Sequence, residues 1–82
     1  MYKIEWTKIS LENLEGLENQ ISGRITKKVN ELVENPLSKD IKKLKGLAGY
    51  RLRVGDYRVI FDIEKDTIFI LKVGHRKNIY EK

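Results

Sequence analysis

The first residues of the chain alternate between apolar and charged side chains. Tyr2, Ile4 and Trp6 are separated by two charged residues, and this period of two is typical of a β-strand with one buried face. After Trp6 the apolar residues take a different spacing. The sequence therefore predicts a short N-terminal strand that ends near Trp6.

A helical pattern follows this strand. Its apolar residues recur near every third or fourth position, as on one face of an α-helix; they are Ile9, Leu11, Leu14, Leu17 and Ile21. Thr7 or Ser10 can cap the N-terminus of this helix through a side-chain oxygen. Gly16 weakens the helix slightly, and Gly23 is a candidate for the break before the next element.

A second helical pattern overlaps the end of the first. Its apolar positions are Ile21, Ile25, Val29, Leu32 and Val33, and charged residues lie between them. The pattern stops before Asn35-Pro36, because proline disfavours the helical conformation of the residue that precedes it. Two antiparallel helices are therefore expected after the first strand.

The C-terminal half changes to a period of two. Residues 37–49 are predicted to form a lysine-rich connector with about one turn of helix, and apolar and polar residues alternate after it. Three strands are predicted at 50–54, 57–63 and 68–74, joined by short turns as an antiparallel meander. The predicted fold class is α+β, with a short N-terminal strand and two helices packed on one face of the meander. Residues 1–82 are expected to form a single domain.

The turn residues fix the pairing of the first hairpin and leave the second open. Gly55-Asp56 is a two-residue loop with glycine first, as a type II′ turn prefers, so Arg53 faces Arg58. In the second hairpin a two-residue loop would pair Val59 with Lys72, whereas a three-residue loop would pair Val59 with Val73. The three-residue loop keeps the buried face apolar.

This register predicts a cluster of arginines. Arg51, Arg53 and Arg58 project from the sheet face that the helices leave open, and we call this surface the arginine face. Arg76 joins it if the last strand extends that far. Like charges directly opposite one another are unfavourable, and a phosphate would relieve them through paired hydrogen bonds to the guanidinium groups. The alternative is that the arginines point into water, with Asp62 nearby on the same face.

Composition narrows the classes of function. Lys and Arg number 17 against 12 Asp and Glu, which gives a net charge of +5. This surplus favours nucleic acid or an acidic protein as partner, although lysines can also serve solubility alone. Cysteine is absent and histidine occurs once, so thiolate chemistry is excluded and a metal site is disfavoured. No apolar run approaches the roughly 20 residues of a membrane span, and a soluble cytoplasmic protein without membrane contact is expected.

One sequence motif lies at the start of the predicted meander and a second lies at its end. They read YRLRVGDYR at 50–58 and VGHRKNIY at 73–80, and the segment KLKGL at 43–47 precedes the first. These motifs and their spacing, together with the order of strand, two helices and three strands, resemble the RelE/ParE superfamily of small toxins over nearly the whole chain. The resemblance implies a RelE-like fold.

The resemblance also implies a function. It is that of the toxin of a type II toxin–antitoxin system, a ribosome-dependent endoribonuclease that cleaves mRNA and thereby inhibits translation, with no metal or cofactor. The ribose 2′-hydroxyl attacks the adjacent phosphorus, which leaves a 2′,3′-cyclic phosphate and a free 5′-hydroxyl. The implied partners are mRNA, the ribosome and a RelB-like antitoxin, and a toxin–antitoxin heterotetramer is one assembly that fits.

Roles for individual residues follow from the matched motifs. Catalytic roles fall to Arg53, Arg58, Arg76 and Tyr80, and RNA-binding roles fall to Arg51, Lys45 and Lys77. The arginines would stabilise negative charge on the phosphorane, and the tyrosine ring would stack on an unpaired base.

A general base is less evident. The best-known RelE enzymes have lysines at the positions of Arg51 and Arg53, and arginine stays protonated in proteins. Histidine is the residue type that titrates near neutral pH, so His75 is a candidate acid or base. Strand alternation places His75 on the face opposite Arg76, which favours a structural or solvent-facing role instead.

Two other functions stay open. One is a ParE-like toxin that inhibits DNA gyrase by binding, without catalysis; the other is a catalytically weak relative that binds nucleic acid or antitoxin. The presence of Arg58, Arg76 and Tyr80 together favours the nuclease. Ile60 and Ile70 are expected among the arginines, where they would suit an amphipathic, acidic antitoxin segment that folds on binding.

Overall fold

A five-stranded mixed sheet carries two helices on one of its faces. The computed structural model describes residues 1–36, 40–44 and 49–79. The elements in chain order are β1 (Lys3–Trp6), α1 (Lys8–Glu15), α2 (Asn19–Glu31), β2 (Ile41–Lys43), β3 (Tyr50–Val54), β4 (Tyr57–Glu64) and β5 (Thr67–His75). The strand order is β1-β5-β4-β3-β2, in which β1 runs parallel to β5 and the other neighbouring strands are antiparallel.

The α+β class and the meander are confirmed, but the connector contains a strand that the prediction missed. β2 spans three residues and pairs with β3 at the edge of the sheet. Only Ile41 in it is half-buried, while both lysines are exposed. Such a short edge strand cannot display a period of two, so the sequence pattern did not reveal it.

The break between the helices falls at Gly16, and the expectation that Gly23 marks it is wrong. Thr7 is the N-cap of α1, and its side chain accepts a hydrogen bond from the Ser10 N–H at 3.2 Å. Gly16 ends α1, and its N–H donates to the carbonyls of Glu12 and Asn13. Gly23 lies inside α2, where the apolar face of the helix packs on the sheet and outweighs the weak helix propensity of one glycine.

Replacing Gly23 with alanine should stabilise the protein. Gly23 is exposed, and a Cβ atom added there would meet no atom within 4 Å. Alanine favours a helix interior by about 0.8–1.0 kcal/mol over glycine. For a domain of this size, that should raise the unfolding temperature by roughly 4–8 °C. Thermal unfolding followed by circular dichroism measures the shift, and an unchanged midpoint would contradict the placement of Gly23 inside a helix.

The second hairpin combines both predicted registers through a β-bulge. Its loop has two residues, because Glu64 pairs with Thr67, yet Val59 pairs with Val73. The register shifts between Ile60 and Phe61, so one extra residue of β5 is accommodated at Leu71. Each predicted register is therefore correct for part of the hairpin.

The bulge changes which side chains of β5 face the helices. Ile70 pairs with Phe61 and is fully buried in the core, so its expected position on the arginine face is wrong. Val73 is buried on the same side, beyond the bulge. Lys72, between them, pairs with Ile60 and projects from the arginine face.

α1 and its N-cap residue form hydrogen bonds with the bulge. β1 ends at the pair Trp6–Ile70, so the edge of β5 beyond it has no neighbouring strand among the described residues. The side chain of Thr7 donates to the Leu71 carbonyl at 3.4 Å, and the side chain of Asn13 accepts from the Val73 N–H at 3.0 Å. The bulge is therefore held by side chains of the helix, which satisfy backbone groups that a strand would otherwise pair.

The hydrophobic core lies between the helices and the sheet face that we call the helix face. Its fully or nearly fully buried members are Ile25, Val29, Leu32, Leu52, Val54, Val59, Phe61, Ile68, Ile70 and Val73. Of the residues that the structure describes, Phe61 has the largest fully buried side chain, and Tyr50 stacks on it with ring centroids 5.5 Å apart. In the described part of the chain, neither helix is long and apolar enough to cross a bilayer.

Candidate nucleic-acid interface

The arginine face forms as the first hairpin predicts. Arg53 lies directly opposite Arg58, and Arg51 lies opposite Ile60. Gly55 has a φ of +60°, the positive value that the first loop position of a type II′ turn requires. The tight turn therefore fixes the register that brings the arginines of β3 and β4 to one face.

Arg58 is anchored to the backbone of this turn. Its Nη1 donates to the carbonyl of Gly55 at 2.8 Å and to that of Tyr57 at 2.9 Å. The side chain is half-buried. Among the described residues nothing accepts from its Nε or Nη2 groups, which leaves N–H donors in a fixed orientation for an anion.

Arg53 is anchored by a carboxylate that precedes β2. Asp40 lies 3.3 Å from Nη2 of Arg53 through one oxygen and 3.5 Å from Nζ of Lys28 through the other. The Arg53 N–H also donates to the Asp40 carbonyl at 3.0 Å. The Arg53 side chain is 61% exposed, so the ion pair orients the guanidinium more than it stabilises the fold.

Arg76 lies just past β5 and meets the same turn as Arg58. Its N–H donates to the Asp56 carbonyl at 2.8 Å, and its Nε lies 3.8 Å from an Asp56 carboxylate oxygen. The strand itself ends at His75, but this bond continues the pairing by one residue. Arg58 and Arg76 therefore both lie at the Gly55-Asp56 turn.

A concavity of about 200 Å³ lies in the arginine face. Its walls are formed by Asp40, Lys42, Arg51, Arg53 and Arg58. Asp40 and Lys42 were not predicted as site residues, because the strand that places them was not recognised. Lys72 was also missed, since its side of the sheet depends on the bulge. The lysine-rich composition of the connector was a sequence signal for Lys42 alone.

His75 faces away from the arginines. It pairs with Tyr57, and the two rings meet edge to face with centroids 5.4 Å apart on the helix face. Its Nδ1 accepts a hydrogen bond from the Lys77 N–H at 3.2 Å. The position agrees with the strand alternation that the sequence indicates, and it separates the imidazole from Arg58 and Arg76.

The C-terminal turn covers part of the arginine face. Gly74 lies opposite Arg58, and Ile79 fills the space that its missing side chain leaves. A Cβ atom at Gly74 would lie 3.1 Å from Cδ1 of Ile79, and Ile79 is only 4% exposed. Lys77 is exposed in the same turn, while the predicted site residues Lys45 and Tyr80 lie outside the described residues.

Comparison with known families decides what kind of protein carries this face. The family described as "ParE toxin of type II toxin-antitoxin system, parDE" matches residues 4–80. The chain belongs to this ParE toxin family. The toxin is 40% identical over 70 residues to Toxin RelE3 of Methanocaldococcus jannaschii, a match that covers 74% of this chain and 80% of the relative. The RelE/ParE superfamily that the motifs suggested is thereby confirmed.

Solved structures agree with this assignment. The RelB–RelE antitoxin–toxin complex from Methanococcus jannaschii contains a chain with a TM-score of 0.76 and 34% identity, over 93% of this toxin and 94% of that chain. The toxin–antitoxin complex RelBE2 from Mycobacterium tuberculosis contains one with a TM-score of 0.83 and 26% identity, over 92% and 98% respectively. The ParE-family toxin described here therefore has the RelE-like fold.

Proposed function

We propose that this toxin is a ribosome-dependent endoribonuclease that cleaves mRNA. The observation that carries the proposal is that Arg53, Arg58 and Arg76 are each oriented by an acceptor of the toxin's own chain. Guanidinium groups that are already oriented need not reorganise when charge develops in a transition state, which is the main source of electrostatic catalysis. The relatives that carry the name RelE support the same reading.

The proposed reaction is transesterification of the RNA backbone. The ribose 2′-oxygen forms a bond to the adjacent phosphorus, and the bond from phosphorus to the 5′-oxygen breaks. Arg58 and Arg76 stabilise the additional negative charge on the phosphorane, and Arg53 holds the phosphate from the β3 side. Tyr80 stacks on a neighbouring base, while Arg51, Lys45 and Lys77 bind the RNA backbone.

Charge stabilisation is the larger part of this mechanism. The arginines cannot take up the proton of the 2′-hydroxyl, because arginine stays protonated in proteins. His75 packs against Tyr57 on the helix face, so we propose that it serves the structure of the C-terminal turn. The proton of the 2′-hydroxyl then passes to solvent, and the departing 5′-oxygen takes up a proton from solvent to leave as a hydroxyl.

We further propose a RelB-like antitoxin as the protein partner, in the cytoplasm where ribosomes are found. One of the similar structures is a RelB–RelE antitoxin–toxin complex, and another is the toxin–antitoxin complex RelBE2. An acidic antitoxin segment would neutralise the arginine face, and half-buried Ile60 offers an apolar contact within it. A heterotetramer of two toxins and two antitoxins fits this arrangement.

Primer extension on translated mRNA tests the proposal. Purified toxin added to a translation reaction should produce discrete new 5′ ends in the mRNA within the ribosomal decoding site. The same mRNA without ribosomes should remain intact. Intact mRNA together with inhibited DNA supercoiling by gyrase would overturn the proposal and assign the toxin to the binding-only class.

A further inference from the structure

A second row of cations crosses the arginine face beside the first. The first row contains Arg53 and Arg58, which are directly opposite each other. The second row runs through four strands, from Lys42 on β2 to Arg51, Ile60 and Lys72 on β5. Directly paired residues project from the same face of a sheet, so both lysines join the arginines.

Lys72 reaches this row only because of the bulge. A regular continuation of the Phe61–Ile70 pairing would set Lys72 against Val59, in the buried core. The bulge places Lys72 on the arginine face instead. Hydrogen bonds of Thr7 and Asn13 with the backbone of β5 stabilise the bulge. Bulges next to functional sites commonly redirect a side chain in this way.

The two rows match the geometry of a nucleic-acid backbone. They are two residues apart along the strands, a separation of about 6.7 Å at 3.3–3.4 Å per residue. This is comparable to the distance between successive phosphates of an extended RNA strand. Neither Lys42 nor Lys72 forms an ion pair within the described part of the chain, so no carboxylate there competes with a phosphate for their ammonium groups.

We propose that Lys42 and Lys72 form the two sides of a second phosphate subsite, with Arg51 and Ile60 between them on the floor of the subsite. The subsite takes the phosphodiester next to the one held by Arg53 and Arg58, so the RNA strand runs along the direction of β3 and β4. This inference rests on the proposed function, since it names the neighbouring phosphate of the same substrate. The competing structural explanation is that the bulge serves only to bury Ile70 and Val73 together.

Binding of a short single-stranded RNA separates these explanations. The RNA carries a 2′-deoxyribose at the attacking position, so it binds without being cut. Lys72→Met and Lys42→Met remove the ammonium group and keep an unbranched apolar side chain. Each should weaken binding about three- to ten-fold at low salt, and each should reduce the slope of log Kobs against log salt by about 0.7. Lys27→Met, at an exposed site on α2, is the matched control and should bind as the wild type does.

A neutral linkage in the RNA identifies the phosphate that is contacted. A methylphosphonate is placed at the linkage on either side of the position of cleavage, in separate oligonucleotides. On one side it should weaken binding by the wild type and the Lys27→Met variant, but leave binding by Lys72→Met unchanged. The proposal would be overturned if the lysine variants bound RNA like the wild type, or if the wild type bound no RNA at low salt. It would also be overturned if, at both linkages, the methylphosphonate weakened binding by Lys72→Met as much as binding by the wild type.

This binding experiment is independent of cleavage. A toxin that binds the RNA as described but leaves translated mRNA intact would contradict the proposed nuclease and keep the subsite. A toxin that cuts mRNA on ribosomes, with Lys42→Met and Lys72→Met binding as tightly as the wild type, would keep the nuclease and remove the subsite. Unfolding temperatures of the variants establish that each remains folded.

Discussion

The Arg58→Ala variant is expected to cleave mRNA on ribosomes about 100- to 1,000-fold more slowly than the wild type. That range is the usual cost of removing one preorganised donor from a site where negative charge develops in the transition state. Primer extension at saturating toxin measures the rate of cleavage directly. The loss should appear in the rate constant for cutting, because the proposed role of Arg58 is to stabilise charge that develops only in the transition state.

The expected loss is large because Arg58 is held more firmly than Arg53 and Arg76 are. It is half-buried and donates to two backbone carbonyls, whereas Arg53 and Arg76 are themselves exposed and are each oriented by a carboxylate, half-buried Asp40 and exposed Asp56. Arg58→Lys should recover little activity. A lysine keeps the charge, but it cannot bind the turn and still present a planar pair of N–H donors to the phosphate.

The matched control is Lys27→Ala, which removes one exposed cation from α2 and should leave cleavage unchanged. Arg58→Ala gives up two hydrogen bonds at the surface, each worth roughly 0.5–1.5 kcal/mol, so the variant should stay folded. Circular dichroism checks this point. A folded Arg58→Ala toxin that cuts at the wild-type rate would contradict the electrostatic role of the arginine face.

The sequence was sufficient to predict the part of the fold that rests on local chemistry. Gly55 with its positive φ fixes the first hairpin, and the pairing of Arg53 with Arg58 follows from that turn alone. Thr7 caps α1 as its side chain allows. These features depend on residues that are close in sequence, so one sequence is enough to predict them.

The bulge in β5 could not be predicted because its causes are distant in sequence. Thr7 and Asn13 bond to backbone groups of β5 that lie some sixty positions away. A pattern of alternating residues offers only a choice between two regular registers, and it does not describe a strand that changes register midway. For this one reason Ile70 was assigned to the wrong side of the sheet and the side of Lys72 was left open.

The same difference between local and distant causes applies to the candidate site. The arginines were found from the hairpin and from the motifs, whereas the groups that orient them were not. Asp40 reaches Arg53 only because β2 adds to the edge of the sheet, and Asp56 meets Arg76 through pairing that continues past β5. The sequence thus indicates which residues can bind a phosphate, and the tertiary structure determines how rigidly they are presented.

Gly49→Ala is expected to destabilise the fold by about 3 kcal/mol, the second large effect. Gly49 precedes β3 with a φ of +107°, a conformation that L-residues rarely adopt. A Cβ atom there would lie 2.7 Å from the Phe61 carbonyl oxygen, which is backbone of a central strand and cannot rotate away. Both the strained backbone and the displaced strand contribute to the cost.

Thermal unfolding measures this effect against the opposite change at Gly23. The same substitution, glycine to alanine, should lower the unfolding temperature by more than about 10 °C at Gly49 and raise it at Gly23. Gly49→Asn distinguishes the two causes, because asparagine tolerates positive φ but still carries a Cβ atom. An asparagine variant as unstable as the alanine one assigns the cost to the contact with Phe61. A stable alanine variant would mean that the start of β3, and with it the position of Arg51 on the arginine face, is not held as described.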